Sequence, residues 1–113
     1  MRYEDTIRLR HMLDAAQDAL SFAEGRAREE LDTDRQLVLA IVKCVEIIGE
    51  AAGQVSPEAR ADLSALPWRK MVAMRHRLVH AYYDINPDVV WSTLQEDLPP
   101  LIEALKAELR FSE

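Results

Sequence analysis

Residues 37–53, LVLAIVKCVEIIGEAAG, decide what kind of chain this is. Leu37, Ile41, Val45, Ile48 and Ala52 recur at steps of four, four, three and four. That spacing lines one face of an α-helix and lacks the two-residue alternation of a half-buried strand. Val38, Leu39, Val42, Cys44 and Ile47 leave few polar positions, so this helix is expected to be the most buried one. Cys44 reads as a small core residue. Glu46 and Glu50 are ionic exceptions that need solvent or a partner. Gly49, Ala51, Ala52 and Gly53 would let another helix approach closely.

The helical pattern continues on both sides. Upstream, Leu9, Leu13, Ala16 and Leu20 step by four, three and four, beside a second stripe of Met12, Ala15, Ala19 and Phe22. One long helix is expected from about residue 4 to Gly25, with residues 26–31 as a possible continuation. Asp32 or Thr33 is placed to cap the next helix. Downstream, Ser56-Pro57 reads as an N-cap followed by proline at the first helical position, opening a short helix to about Leu63. Leu66-Pro67-Trp68 repeats that punctuation and starts a third long helix, to about Tyr83. Its expected inner face is Trp68, Met71, Val72, Leu78 and Val79, with Arg75 and Tyr82 on the same stripe. Asn86-Pro87 caps and opens the last helix, whose apolar side is Val89, Val90, Leu94, Leu98, Leu101, Ile102, Leu105 and Leu109. Pro99-Pro100 must kink or interrupt it, because two N–H donors are missing. The expectation is an all-α, antiparallel bundle of four main helices plus a short helix, forming a single domain over residues 1–113.

Composition agrees with a packed domain. The 113 residues are 49% hydrophobic and 30% charged, with three glycines and five prolines, which excludes a disordered or collagenous chain. No apolar run approaches the roughly 20 residues of a membrane span. The first residues, MRYEDTIRLRHML, hold no unbroken apolar stretch of the kind a signal peptide needs. One cysteine cannot form an internal disulfide, so the expectation is a reduced, cytoplasmic protein without a membrane partner.

The net charge of −6 argues against a nucleic-acid binder when taken globally. Its distribution says otherwise. Residues 64–83, SALPWRKMVAMRHRLVHAYY, contain Arg69, Lys70, Arg75 and Arg77 and no acid, leaving 10 basic and 20 acidic residues elsewhere. A local positive site therefore sits on an acidic body. The same charges would also suit a solvated helix face.

Within that island, His76 and His80 share a helix face, as a zinc pair would. However, Arg77 stands where a zincin carries glutamate, and no third ligand lies nearby, so no metal is expected. No Gly-x-Ser-x-Gly elbow, activated cysteine or glycine-rich phosphate loop is present. What remains is arginine, histidine and tyrosine on one helix. Arginine is a permanent cationic fork for a phosphoryl oxygen. Histidine can take a proton from a ribose 2′-hydroxyl and return one to the leaving oxygen. RNA supplies its own nucleophile, so this chemistry calls for no metal and no cofactor. A cationic helix end with a partly buried tyrosine would present the same residues without any chemistry.

Arg75-x4-His80-Ala81-Tyr82 resembles the R-x4-6-H motif of HEPN domains and the longer R-x4-H-x-Y form of HepT-like toxins. Ile47-Ile48-Gly49-Glu50-Ala51-Ala52, Val55-Ser56, Pro67-Trp68, Met74-Arg75, Val90-Trp91 and Asp97-Leu98-Pro99 are similar to HepT-like sequences in the same order. The resemblance covers roughly residues 4–110. His76 departs from the pattern, since the relatives carry Asn or Asp after the motif arginine; it remains placed to act as a helper.

The resemblance implies a HEPN-like, all-α homodimer acting as a metal-independent ribonuclease toxin, with Arg75 and His80 as catalytic residues. It implies a partner, an MntA-like nucleotidyltransferase antitoxin that silences the toxin by transferring AMP from ATP to Tyr82. Arg69, Lys70 and Arg77 are the accompanying RNA-binding candidates. On a straight helix Arg75 and His80 point about 140° apart, whereas Arg75 and Tyr82 fall within about 20°, two turns apart. Either the helix loosens near His80, or a two-fold axis completes the site from two subunits. A reading of a different class also fits: a non-catalytic subunit that holds substrate or shapes the complex of a nucleotidyltransferase.

Overall fold

The computed structural model describes residues 2–78 and 85–112. The elements are α1 (Tyr3–Ala23), α2 (Glu30–Thr33), α3 (Arg35–Gln54), α4 (Pro57–Asp62), α5 (Trp68–Leu78), α6 (Pro87–Ser92), a π-helical turn (Thr93–Asp97) and α7 (Leu98–Ser112). Among the described residues there is no strand. The expected all-α bundle is therefore present, with one short helix, α2, more than the sequence suggested.

Helix α3 is the middle of the packing. It lies against α1 on one side and α5 on another, and α7 covers α1. Ile41, Val45 and Ile48 are fully buried, as the stepped pattern required, and meet Leu9 and Met12 of α1 and Met71 of α5 in one core. Each such side chain contributes about 1.5–3 kcal/mol relative to exposure. Cys44 is buried, and burial pushes its thiol pKa up, with Asp18 adding to the effect. Phe22, Leu39 and Val72 break the expectation: they stand 46%, 37% and 38% exposed. On α5 the inward side chains are Met71, Met74 and Leu78, a stripe that leaves Val72 outside it.

The helix ends follow local hydrogen bonding. Gly25 stops α1 with a positive φ of 73°, a conformation that costs glycine little. The cap of α3 is Asp34, which accepts from the Leu37 N–H at 3.0 Å; it is neither Asp32 nor Thr33. Those two lie inside α2, where Asp32 pairs with Arg28 at 2.9 Å. Arg26 reaches Asp34 at 2.6 Å, and its guanidinium, followed by the Leu37 N–H, holds that carboxyl below the usual carboxylate range. Ser56 caps α4 by accepting from the Ala59 N–H, with Pro57 behind it, as the sequence indicated. Ser56 also donates both its N–H and its hydroxyl to Asp5, at 2.9 and 2.8 Å. The start of α1 is thereby tied to the start of α4.

Asn86 caps α6 by accepting from the Asp88 N–H at 2.9 Å, again as expected. Arg28 crosses to Asp88 at 2.6–2.7 Å and fastens the α1–α3 connection to α6. The proline interruption takes a definite form. Leu98 N–H donates to Thr93 O, a step of five residues, so the chain widens into a π-turn just before Pro99 and Pro100. In α geometry those prolines would leave the carbonyls of residues 95 and 96 without donors.

Candidate active site

Helix α5 carries the motif arginine. Its start is fixed by Trp68, whose indole N–H donates to Leu63 O at 3.0 Å and whose ring lies under the Arg60 guanidinium, 5.8 Å from the centroid. Arg60 in turn donates to Ala52 O and Gly53 O, both at 3.0 Å, closing the C-terminal end of α3. Met71, Met74 and Leu78 then press one face of α5 into the core.

Around that face the charged side chains divide into groups. Arg75 lies on the flank toward α3, where Gly49 makes room for it. A Cβ added at Gly49 would meet Arg75 Cβ at 3.0 Å and Cδ at 3.3 Å. The expected close approach therefore occurs at Gly49, while Gly53 has nothing within 4 Å of its added Cβ. Lys70 and Arg77, seven residues apart, point within about 20° of one another and about 140–160° away from Arg75. They face the π-turn, where Lys70 Nζ pairs with Asp97 Oδ1 at 2.9 Å and Arg77 NH1 lies 3.8 Å from Oδ2. Arg69 and His76 point outward into solvent. Among the described residues, the side chains of Arg69, Arg75 and His76 make no hydrogen bond or ion pair, which leaves Arg75 exposed and available.

Two of the sequence candidates, His80 and Tyr82, lie outside the described residues, as do Val79 and Tyr83. Of the others, α5 brings Lys70 together with Arg77 and separates both from Arg75. Among the described residues, no group of three His, Cys, Asp or Glu side chains converges as a metal site would, and no helix is long and apolar enough to cross a membrane.

Sequence reasoning missed the role of Asp97, which it used only as part of a matching tripeptide. Its side chain is 8% exposed, and its Oδ2 is buried without a hydrogen-bond partner. A signal was present. Val90, Leu94, Leu98, Leu101 and Leu105 mark the inward register of α6 and α7, and Asp97 occupies an inward position within it.

Comparison with known proteins follows the same span. The family model described as "Ribonuclease HepT-like" matches residues 12–108. A protein of Caldanaerobacter subterraneus subsp. tengcongensis named "Putative RNase" is 31% identical over 102 residues, covering 90% of this chain and 91% of that one. "Probable ribonuclease HepT" of Thermococcus cleftensis is 36% identical over 73 residues, 65% of this chain and 66% of its own. A "Putative RNase" of Methanocaldococcus jannaschii is 29% identical over 90 residues, 80% and 83% of the two chains. No solved structure matches.

Proposed function

The chain belongs to the HepT-like ribonuclease family, and from that membership we propose that it is a metal-independent endoribonuclease, the toxin of a toxin–antitoxin module. The observation that carries this reading is Arg75: the motif arginine stands exposed on the Gly49 seam, unpaired among the described residues, as a phosphate-binding group must.

In the proposed reaction neutral His80 accepts the proton of a ribose 2′-hydroxyl. The 2′-oxygen attacks the adjacent phosphorus, the P–O5′ bond breaks, and a histidinium returns a proton to the departing 5′-oxygen. The products are a 2′,3′-cyclic phosphate and a 5′-hydroxyl. Arg75 neutralises the charge that grows on the non-bridging oxygens, a contribution commonly worth a few kcal/mol. His76 is a possible second donor. A homodimer would set two copies of the motif in one cleft and supply both base and acid. It would also bring Arg69 to an RNA strand, with Lys70 and Arg77, on the far flank of α5 beside Asp97, as outer phosphate contacts.

Silencing is proposed to fall on Tyr82. The antitoxin, an MntA-like nucleotidyltransferase, would transfer AMP from ATP to the phenolic oxygen and release pyrophosphate. If the ideal helical spacing holds through Tyr82, the new phosphodiester would be an anion within reach of Arg75. It would fill the cleft and repel RNA.

The test is cleavage of RNA by the purified protein in EDTA. Activity that ends in a cyclic phosphate, and that falls by 10²–10⁴ in His80→Ala and comparably in Arg75→Ala, is expected. Dependence on a divalent ion, or full activity in His80→Ala, sinks the mechanism. Intact mass after incubation with the antitoxin, ATP and Mg²⁺ should show AMP additions that vanish in Tyr82→Phe. A protein that binds RNA without cutting it would instead favour the non-catalytic subunit.

A further inference from the structure

Asp97 is an acid at an inward register position, and neither the packing of α7 nor the chemistry above explains it. A buried carboxylate is weak as a stabiliser, since its desolvation must be offset by its partners. Here the compensation is partial: Lys70 meets Oδ1 at 2.9 Å, while Oδ2 is buried, has no hydrogen bond and faces Arg77 at 3.8 Å. The carboxylate also sits at the last residue of the π-turn, the irregular step in an otherwise continuous helical stretch.

We propose that Asp97 is a positioning residue for the motif arginine: its carboxylate holds the flank of α5 opposite Arg75, through Lys70 and Arg77, and so fixes where Arg75 stands. This inference rests on the ribonuclease reading.

Three observations carry it. Lys70 and Arg77 lie two turns apart, about 10 Å along the helix axis, and one carboxylate reaches both. A single anion between two cations so spaced resists both sliding and rotation of the segment between them, and Arg75 lies in that segment. On the other flank, Gly49 lets Arg75 lie close against α3, so close that even a methyl group at position 49 would come within 3.0 Å of Arg75 Cβ. Helix α5 is thus set between a close, glycine-lined contact with α3 on the Arg75 side and an ionic tether on the far side. The tether has a second effect. It occupies two cations of the positive island, which therefore bind phosphate less well than free side chains would.

Loss of the carboxylate should accordingly slow turnover without weakening RNA binding. A misplacement of about 1 Å at a reacting group can cost on the order of 100-fold, whereas freed cations bind RNA more tightly. A residue that merely supports the fold would lower the melting temperature and leave turnover by the folded fraction unchanged.

The experiment measures kcat and KM for RNA cleavage by the full chain, as wild type, Asp97→Asn, Lys70→Met and the double variant. For Asp97→Asn, kcat about 3–5-fold lower with KM unchanged or reduced is expected, since half-exposed ion pairs shift a positional equilibrium by no more than that. The double variant should fall little further than the worse single one, since Asp97 acts through Lys70. A kcat within twofold of wild type overturns the proposal, and so do two losses that simply multiply. If Asp97→Asn does not fold, the Lys70→Met/Arg77→Met variant removes the same tether from the other side, and unchanged kcat there also overturns it. If the wild type cuts no RNA, the ribonuclease reading fails by itself. Amide hydrogen exchange over residues 71–78 then decides the tether: exchange about 3–5-fold faster in Asp97→Asn upholds it, and unchanged exchange overturns it.

Discussion

Asp5 and Asp97 are both buried acids at junctions between helices, and the molecule treats them differently. Asp5, at the start of α1, receives a backbone N–H and a hydroxyl from one residue, Ser56, with each oxygen bonded below 3 Å. Asp97, at the end of the π-turn, receives a lysine on one oxygen and only a distant arginine on the other. The first junction is closed by short bonds to groups that have no freedom to leave. The second is held by long side chains, each about half exposed, that solvent can reach. A scaffold joint and a joint beside the motif helix thus use the same acid with different partners, and they should respond differently to mutation and salt.

The largest effect is expected at the first junction. Asp5→Ala leaves the Ser56 N–H and hydroxyl without acceptors and should cost about 1–3 kcal/mol, or roughly 4–13 °C in Tm for a domain of this size. Thermal unfolding measures it. Its pH dependence has a defined sign. The Ser56 N–H bond holds the Asp5 carboxyl below its ordinary pKa, so the stabilisation is complete above about pH 4 and disappears as pH falls through the lower folded value. The acid limb of the stability curve should be shallower in Asp5→Ala. An unchanged limb would show that the Ser56 bonds do not favour the Asp5 carboxylate in the folded state.

Gly49→Ala probes the close approach of the motif arginine to α3. The added methyl meets a Cβ, which cannot swing aside as a flexible tip would. Overpacking of this kind costs about 1–3 kcal/mol, while the gain in helix propensity returns up to about 1 kcal/mol. A net loss of about 1 kcal/mol is expected in denaturant titration, with a larger proportional loss of RNA cleavage. Stabilisation at full activity would place the seam elsewhere.

The smallest effect is the stability change in Asp97→Asn. Its partners are half exposed, and such pairs contribute about 0–1 kcal/mol. The difference from wild type should shrink further between low and high salt, whereas that of Asp5→Ala should not, because its donors are neutral. Equal salt sensitivity in the two variants would erase the contrast between the junctions.

These cases also mark what the amino-acid sequence discloses. Ser56-Pro57 and Asn86-Pro87 were legible as caps because the bonds that define them span two or three residues. The inward face of α3 was legible because its period is unbroken over about four turns, from Leu37 to Ala52. The cap of α3 was not: Asp32 and Thr33 were the candidates, but both lie inside α2, where Asp32 pairs with Arg28, and the next residue, Asp34, does the capping. Val72 was misplaced because α5 turns its Met71, Met74 and Leu78 stripe inward, and Val72, about 160° from Met74 around the helix, then faces out, a choice that packing decides. Arg75 was found from its spacing to His80 and Tyr82. Asp97 was passed over because its partners lie 20 and 27 residues earlier in the chain, a separation at which no local pattern operates.

Cys44 offers a separate advantage. It is the chain's lone thiol, it lies in α3 at the middle of the packing, and its raised pKa keeps it in the unreactive protonated form. An alkylating reagent can reach it only when α3 opens. The rate at which such a reagent consumes Cys44 is therefore a clock for opening of the core, already installed, that needs no added dye or engineered label. Run on each variant described above, it would separate those that loosen the whole bundle from those that disturb only α5.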